Sequence, residues 1–513
     1  MKELLDIKSR KKVAILEAIF NCENHSCSQE ILLRELDMTY PTLRSLIDTI
    51  NSDVKRFGFD KFSIIHSPSN QLYTINIHEE SSIQFIIHAY VKDSPKFKLL
   101  ELLLTSSFSN LQLVADKLFL PYVSLRKDIK ELNELLKPHC ISISTRKGIK
   151  LEGDEIGIRL YYTFLFLTVY GGESWPFAFI QYHEITELLK NCPKEIYNAG
   201  YLDKGMLVHF YLAIHLIRVR KNHPIQRSHT FSVPLYSAYS DESKKSFNLF
   251  IASLGTYLPN INEEKLIYTA RILLSVIVAF GSYSSIETIP TFFNSEPLFK
   301  QNNFLKTLFS VCTTIDQHLS IPLSKTEKEK LMYSLMGLHY RYLLFTGLSL
   351  NLESMILGYT KIERNSRKSH KVKHLRELVN KLMELEEFSI FEPYKKELSS
   401  DYFLILEKRI DFSIHTLPIK VVILSITSNE TGILDFMNNF SNFYNVCVTD
   451  VLDEDIDLVI SDFPLSNHVL TTFSIRQPIV YVNTRWSESD YIKINKKLGE
   501  IATSKFINKV DEI

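Results

Sequence analysis

The spacing of apolar positions near the start of the chain predicts one succession of elements written twice. Over residues 10–78, Val13, Ile15, Leu16 and Ile19 mark a helix from about Lys11 to Phe20, followed by a polar loop from Asn21 to Cys27. Ser28 offers an N-cap hydroxyl to a helix over Gln29–Leu36, and another helix starts at Thr39 or Pro41 and runs to about Phe57. Phe62–His66 and Leu72–Ile77 flank Ser67-Pro68-Ser69-Asn70, a hairpin by its turn residues. Over residues 97–153 the order recurs. Asn110–Leu118 is amphipathic, Phe119-Leu120-Pro121 turns, and Tyr122–Asn133 forms a helix with Leu125, Ile129 and Leu132 on its buried stripe. Ile141–Ser144 alternates at period two, Arg146-Lys147-Gly148 turns, and Ile149–Leu151 returns. The pattern predicts two winged helix-turn-helix units, residues 1–80 and 81–153.

From Asp154 to about Ser400 long apolar-periodic stretches alternate with short polar loops and strand signals vanish. Two helical domains are expected, 154–287 and 288–402, divided near Ile289-Pro290. A short internal repeat supports the division: Leu207, Tyr211, Leu212, Ala213, Ile214 and His215 align without gaps on Leu331, Leu335, Met336, Gly337, Leu338 and His339. Residues 415–513 change character again. Ile419–Leu424, Tyr444–Val448, Leu458–Ile460 and Pro478–Val482 read as strands, with helices at Gly432–Phe440 and Glu488–Glu500. Strands separated by crossovers imply a small parallel α/β domain. The fold class expected is multidomain and mainly α, with the α/β domain last.

Tandem winged helices point to a reader of DNA, and charge complicates that expectation. The 59 Lys+Arg balance the 59 Asp+Glu, and residues 1–155 hold 21 of each, whereas a DNA-binding region is usually basic. Local clusters of cations carry the expectation instead. Arg126, Lys127 and Lys130 lie off the buried stripe of one helix, with Arg146, Lys147 and Lys150 on the hairpin after it. The first unit offers chiefly Thr42, Arg44, Lys55 and Arg56. Six scattered cysteines suggest a reducing compartment rather than a disulfide framework. The most apolar run, Ile272–Phe280, is nine residues, far short of the roughly 20 needed to span a bilayer. A cytoplasmic protein without membrane contact is expected.

Other chemistry finds little footing. Cys22, His25 and Cys27 lack a fourth ligand for zinc. His183-Glu184 is not followed by the second histidine of a zincin motif, Gly172-Glu173-Ser174-Trp175-Pro176 lacks the second glycine of a nucleophile elbow, and no Walker loop occurs. The basic stretch from Arg364 to Arg376 reads as a solvated inter-helix loop. No enzyme, metal or cofactor is expected.

Two winged helices, a helical pair each carrying a histidine, and an α/β tail together resemble the Mga/RofA-like and AtxA-related virulence regulators of Gram-positive bacteria. The resemblance is sharpest over Ser124–Asn133 and over Gly148–Glu155. It implies transcription regulation on promoter double-stranded DNA, with the recognition-helix residue Ser124 joining Arg126, Lys127 and Lys130. It also implies helical regulation domains phosphorylated on histidine by a phosphocarrier of the sugar phosphotransferase system, a homodimer, and a tail like an enzyme IIB domain. The candidate phosphoacceptors are His209, which stands four residues before Ala213-Ile214, and His215 and His339. His183, His223, His229 and His318 are weaker candidates. The tail departs from a working IIB domain, because the loop Ser425–Gly432 after its first strand lacks cysteine; Cys447, on the second strand, is expected in the core. Three other readings compete: an RNA-binding antiterminator, disfavoured by the helical start; a phosphotransferase component that passes phosphate onward, disfavoured by the missing tail cysteine; and a winged-helix scaffold that does not bind DNA, which the neutral charge permits.

Overall fold

A computed structural model of the chain describes residues 1–77, 82–171, 174–192, 202–225, 241–280, 303–319, 321–345, 370–410, 417–426, 429–441, 443–451, 455–472 and 476–510. The apolar stripes at its start become the buried faces of helices α1 (Ile7–Phe20), α2 (Gln29–Glu35) and α3 (Tyr40–Arg56). Their partners are the antiparallel strands β1 (Ser26–Ser28), β2 (Ser63–Ser67) and β3 (Leu72–Asn76), in the order β1-β3-β2. Polar side chains fix the helix starts: Asp6 accepts from the Ser9 amide at 2.8 Å and Ser28 from the Ile31 amide at 3.3 Å. The expected polar loop Asn21–Cys27 runs into β1, where Ser26 pairs with Thr74 and Cys27 with Tyr73. So short a strand carries no period of its own; its partner β3 imposes it.

Helices α4 (Ile83–Asp93) and α5 (Pro95–Thr105) lead into α6 (Leu111–Leu118), α7 (Tyr122–Leu136) and the hairpin β4 (Ile141–Ser144) and β5 (Lys150–Gly153). The hairpin is anchored from below: Phe108 and Ile149 exchange backbone hydrogen bonds of 3.0 and 2.6 Å. Gly148 turns there at φ +90°, and a Cβ on it would stand 2.4 Å from the Phe108 carbonyl oxygen, so no other residue fits without moving the strand.

The helical middle comprises α8 (Glu155–Tyr170), α9 (Tyr182–Lys190), α10 (Leu202–Arg220), α11 (Asp241–Tyr257), α12 (Glu263–Phe280), α13 (Asn303–His318), α14 (Lys325–Phe345), α15 (His370–Met383) and α16 (Lys395–Arg409). The two helices that carry the sequence repeat each pack on others. Helix α10 lies against α8, while α14 lies against α12 and α16. Gly337 lets α14 approach α12 closely, since a Cβ there would come within 3.0 Å of the Val278 carbonyl oxygen. One apolar cluster runs from Leu4 to Ile410. It crosses from α5 to α8 through Phe97 against Phe166, with ring centroids 5.8 Å apart, and through the Tyr162 hydroxyl, which donates to the Leu100 carbonyl at 2.8 Å. The division near Ile289-Pro290 and His229 lie outside the described residues. Residues 370–376, expected within a loop, form the start of α15.

The tail is a parallel sheet, β7-β6-β8-β9, of β6 (Ile419–Leu424), β7 (Val446–Val448), β8 (Leu458–Ser461) and β9 (Ile479–Tyr481). Helices α17 (Asn429–Phe440), α18 (Asn467–Thr472) and α19 (Glu488–Val510) complete it. Ile419, Val421, Leu458 and Ile460 meet Phe436 and Ile494 on one face, whereas Val422 and Val459 serve the other. Cys447 corrects the expectation of a core position: it is exposed. Among the described residues its strand β7 lies at the sheet edge, paired with β6, and its middle side chain faces out. Among the described residues no helix is long and apolar enough to cross a membrane.

Candidate nucleic-acid interface

Helix α7 buries Leu125, Ile129, Leu132 and Leu136. At 100° per residue the opposite face carries Val123, Lys127, Lys130 and Glu134, at i, i+4, i+7 and i+11. Ser124, Arg126, Lys127 and Lys130 are all exposed. So are Arg146 and Lys147 at the hairpin tip, which brings a second cationic group within the same unit. Lys127 meets Glu131 at 3.8 Å, a solvent-exposed pair of small energetic weight that leaves the ammonium available. Lys96 of α5 is buried and also pairs with Glu131, which ties the recognition-type helix to the helix beneath it.

The corresponding face of α3 is different in charge. Thr42 and Arg44 are exposed, and Thr42 shares a hydroxyl hydrogen bond of 3.0 Å with Thr39. Arg44 lines an open groove with Tyr40, Ser45, Asp48 and Ser52. There the outward face centres on Ser45, Asp48 and Ser52, so a carboxylate sits where α7 has lysines. Lys55 is exposed, while Arg56 is drawn to Asp93 at 2.9 Å and Asp53 at 3.5 Å. Against a polyanion the second unit is the stronger electrostatic surface.

The three candidate phosphoacceptors are brought into the core, where none is open to a donor protein. His209 donates from Nδ1 to the Gly205 carbonyl at 2.7 Å, its Nε2 lies 3.2 Å from the Thr186 hydroxyl, and Tyr182 stacks on the ring. Burial lowers its pKa. His215 accepts at Nδ1 from the Arg159 guanidinium at 2.8 Å, and burial with the nearby cation holds its pKa well below the ordinary imidazole value. His339 meets the Tyr402 hydroxyl at 2.5 Å, and burial lowers its pKa to about 3. The cations near these histidines in sequence are engaged: Arg218 pairs with Glu155, and Arg220 donates to the Tyr257 and Phe179 carbonyls. Arg341, on the helix of His339, is half-buried. Among the weaker histidines, His183 is exposed, His223 lies 3.7 Å from Glu155, and His318 donates to the Thr314 carbonyl at 2.7 Å.

Arg159 escaped sequence reasoning. It is fully buried, and besides His215 it reaches Glu155 at 3.5 Å and the His223 carbonyl at 2.5 Å. Its signal is a lone cation inside the apolar run Ile156–Phe166. At the other tempting cluster, Cys22 donates to the Ala18 carbonyl at 3.2 Å and His25 bonds the Phe20 carbonyl at 2.8 Å. Among the described residues no three His, Cys, Asp or Glu side chains gather as metal ligands.

These elements agree with a known DNA-binding class. Residues 79–166, which take in α4 to α7, the hairpin and most of α8, match the Mga helix-turn-helix domain. Over this segment the chain is similar to the Mga family, in line with the resemblance drawn from its sequence. It is 22% identical over 303 residues to the capsule synthesis positive regulator AcpA of Bacillus anthracis, covering 58% of this chain and 59% of that protein. It is 24% identical over 223 residues to a trans-acting regulator of Streptococcus pneumoniae, covering 44% of each. A match of 24% identity over 140 residues to AcpB, another capsule synthesis positive regulator of Bacillus anthracis, covers 27% of this chain and 29% of that protein. The chain thus aligns with 29–59% of the length of these relatives.

Proposed function

We propose that this chain is a DNA-binding transcription regulator acting on promoter double-stranded DNA through tandem winged helix-turn-helix units, the second of which supplies most of the affinity. The observation that carries this reading is the exposed cationic face of α7, with Arg126, Lys127 and Lys130, beside the hairpin tip of Arg146 and Lys147. A helix face of that kind suits the major groove, and a basic wing suits the neighbouring phosphates. The names of its relatives AcpA and AcpB favour positive regulation of capsule synthesis. The neutral balance over residues 1–155 is accommodated because Asp53, Asp93 and Glu131 are spent on internal ion pairs.

The test is retention of promoter DNA by the full chain at several salt concentrations. Replacing Lys127 or Lys147 with Ala lowers the salt slope by about one unit each, and replacing Arg126 costs about 1–3 kcal/mol if it reaches a base. Arg44→Ala has the smaller effect. Loss of all binding on Arg44→Ala, with Arg126→Ala and Lys127→Ala silent, reverses the assignment.

Control by histidine phosphorylation, a homodimer held partly by residues 418–513, and a phosphocarrier partner belong to the same reading. Of the three histidines, His209 best suits a donor protein. It is the least deeply buried of the three, 4% exposed against 1% and 0%, and its ring stacks on the exposed Tyr182 at the start of α9, so the smallest local rearrangement would present it. Phosphoenolpyruvate and the general phosphocarrier proteins, followed by mapping of acid-labile phosphate, test this; absence of histidine phosphate, with His209→Ala and His209→Asp equally active, overturns it.

A further inference from the structure

The turn between α6 and α7 holds side chains that folding does not explain. Phe119 ends α6 in the left-handed conformation, φ +54° and ψ +43°, with its side chain 93% exposed. A bulky residue is uncommon there, and glycine would relieve the strain. An exposed aromatic ring in a strained position contributes nothing to the core beneath it. Strain of this sort gathers where a ligand is met. Two more apolar side chains open α7: Tyr122 and Val123, the latter 78% exposed. Val123 heads the outward face on which Lys127 and Lys130 follow, so an apolar side chain and the cationic row share one face of α7, and Phe119 precedes it in the turn.

We infer that Phe119 and Val123 are specificity-determining residues that read the C5-methyl groups of thymine in the major groove. This rests on the DNA-binding reading above. The N-terminal residues of a recognition helix go deepest into the groove. The thymine methyl is the apolar feature presented there, and apolar side chains recognise it. The flanking cations Arg126, Lys127, Arg146 and Lys147 match phosphates on either side, whereas a purely apolar protein partner would leave them uncompensated. The first unit lacks such a tip: its corresponding turn has Asp37 at φ +45°, a residue that tolerates the left-handed region, and its helix opens with Tyr40 and Pro41.

The experiment uses the full chain and duplexes that it selects from a random-sequence library, resynthesised with deoxyuridine in place of thymidine. Selected duplexes are expected to share thymine-bearing steps. Each critical methyl removed should weaken wild-type binding about three- to fivefold, the worth of one buried methyl group. Val123→Ala and Phe119→Ala should bind the thymine duplex more weakly and no longer distinguish it from the uracil duplex. Lys127→Ala should lose affinity yet keep the distinction. Because both apolar side chains are exposed, these variants fold, which circular dichroism checks. Equal wild-type affinity for thymine and uracil duplexes overturns the inference while leaving DNA binding intact. So does a tip that instead joins two copies, seen as a fall in mass by light scattering for Phe119→Ala without DNA. Failure to retain any duplex overturns the DNA-binding reading itself, a result distinct from either.

Discussion

Asn133 holds strand β4 by both ends of its amide. Its Nδ2 donates to the Ile143 carbonyl at 3.1 Å, and its Oδ1 accepts from the Ile143 amide at 2.6 Å. Asn51 does the same to Ile64 in the first unit, at 3.0 and 2.8 Å. Beside them Asp53 pairs with Lys12 of α1, as Glu131 pairs with Lys96 of α5. The same two devices thus lock α3 to α1 and to the β2–β3 hairpin, and α7 to α5 and to the β4–β5 hairpin.

Asn133→Ala should loosen the hairpin from α7. Two hydrogen bonds vanish and a half-buried amide and carbonyl of Ile143 lose their partner, a cost of about 2–3 kcal/mol. Amide hydrogen exchange should rise first in Ile141–Ser144. Unchanged protection there would show that Phe108 and Ile149 hold the hairpin unaided.

Phe119→Gly should stabilise the second unit. The left-handed backbone costs a bulky residue roughly 1–2 kcal/mol, and the exposed ring has little burial to lose. Part of the gain is offset by the greater freedom of glycine in the unfolded chain, leaving a net rise of up to about 1 kcal/mol. A denaturant midpoint lowered by the substitution would mean that the ring packs somewhere in solution.

Arg159→Met should be strongly destabilising even though it replaces a charge with a hydrophobe of similar length. The Nδ1 of His215 and the His223 carbonyl lose their donor, and Glu155 retains Arg218 but loses its other arginine. Breaking such a buried constellation costs about 3–5 kcal/mol. Thermal unfolding measures it, and a midpoint within a degree of wild type would contradict the assignment.

Stability should fall as the solution is acidified below the ordinary range for histidine. In the unfolded chain His339 takes up its proton near pH 6.5, while in the fold burial keeps it neutral down to about pH 3. Its contribution is complete above about 6.5 and is lost as pH falls through that window, with a slope of up to roughly 1.4 kcal/mol per pH unit. His215 acts in the same direction. His339→Gln should flatten the dependence of the unfolding midpoint on pH between 4.5 and 6.5; a slope identical to wild type would show that His339 is protonated in the fold.

The sequence by itself determined the helices wherever apolar positions kept a period over several turns. Leu125, Ile129 and Leu132 specify the buried stripe of α7, and Lys127 and Lys130 are thereby left outside, because a helix has only one face for its core. It determined the parallel tail in the same way, through short runs of β-branched residues between crossovers. What it could not determine is set by partners distant in the chain. Ser26–Ser28 becomes a strand only because β3 passes beside it, and Cys447 is exposed only because β7 lies at an edge. The histidines on α10 and α14 read as candidates for a surface reaction, since periodicity does not reveal which faces of a helix are covered when neighbours lie on several sides. The burial of His215 follows from Arg159 on α8, 56 residues earlier, and that of His339 from Tyr402 on α16, 63 residues later. Only the packing of those helices decides that an imidazole is a neutral core group, because burial penalises its charged form and no local sequence pattern encodes burial from all sides.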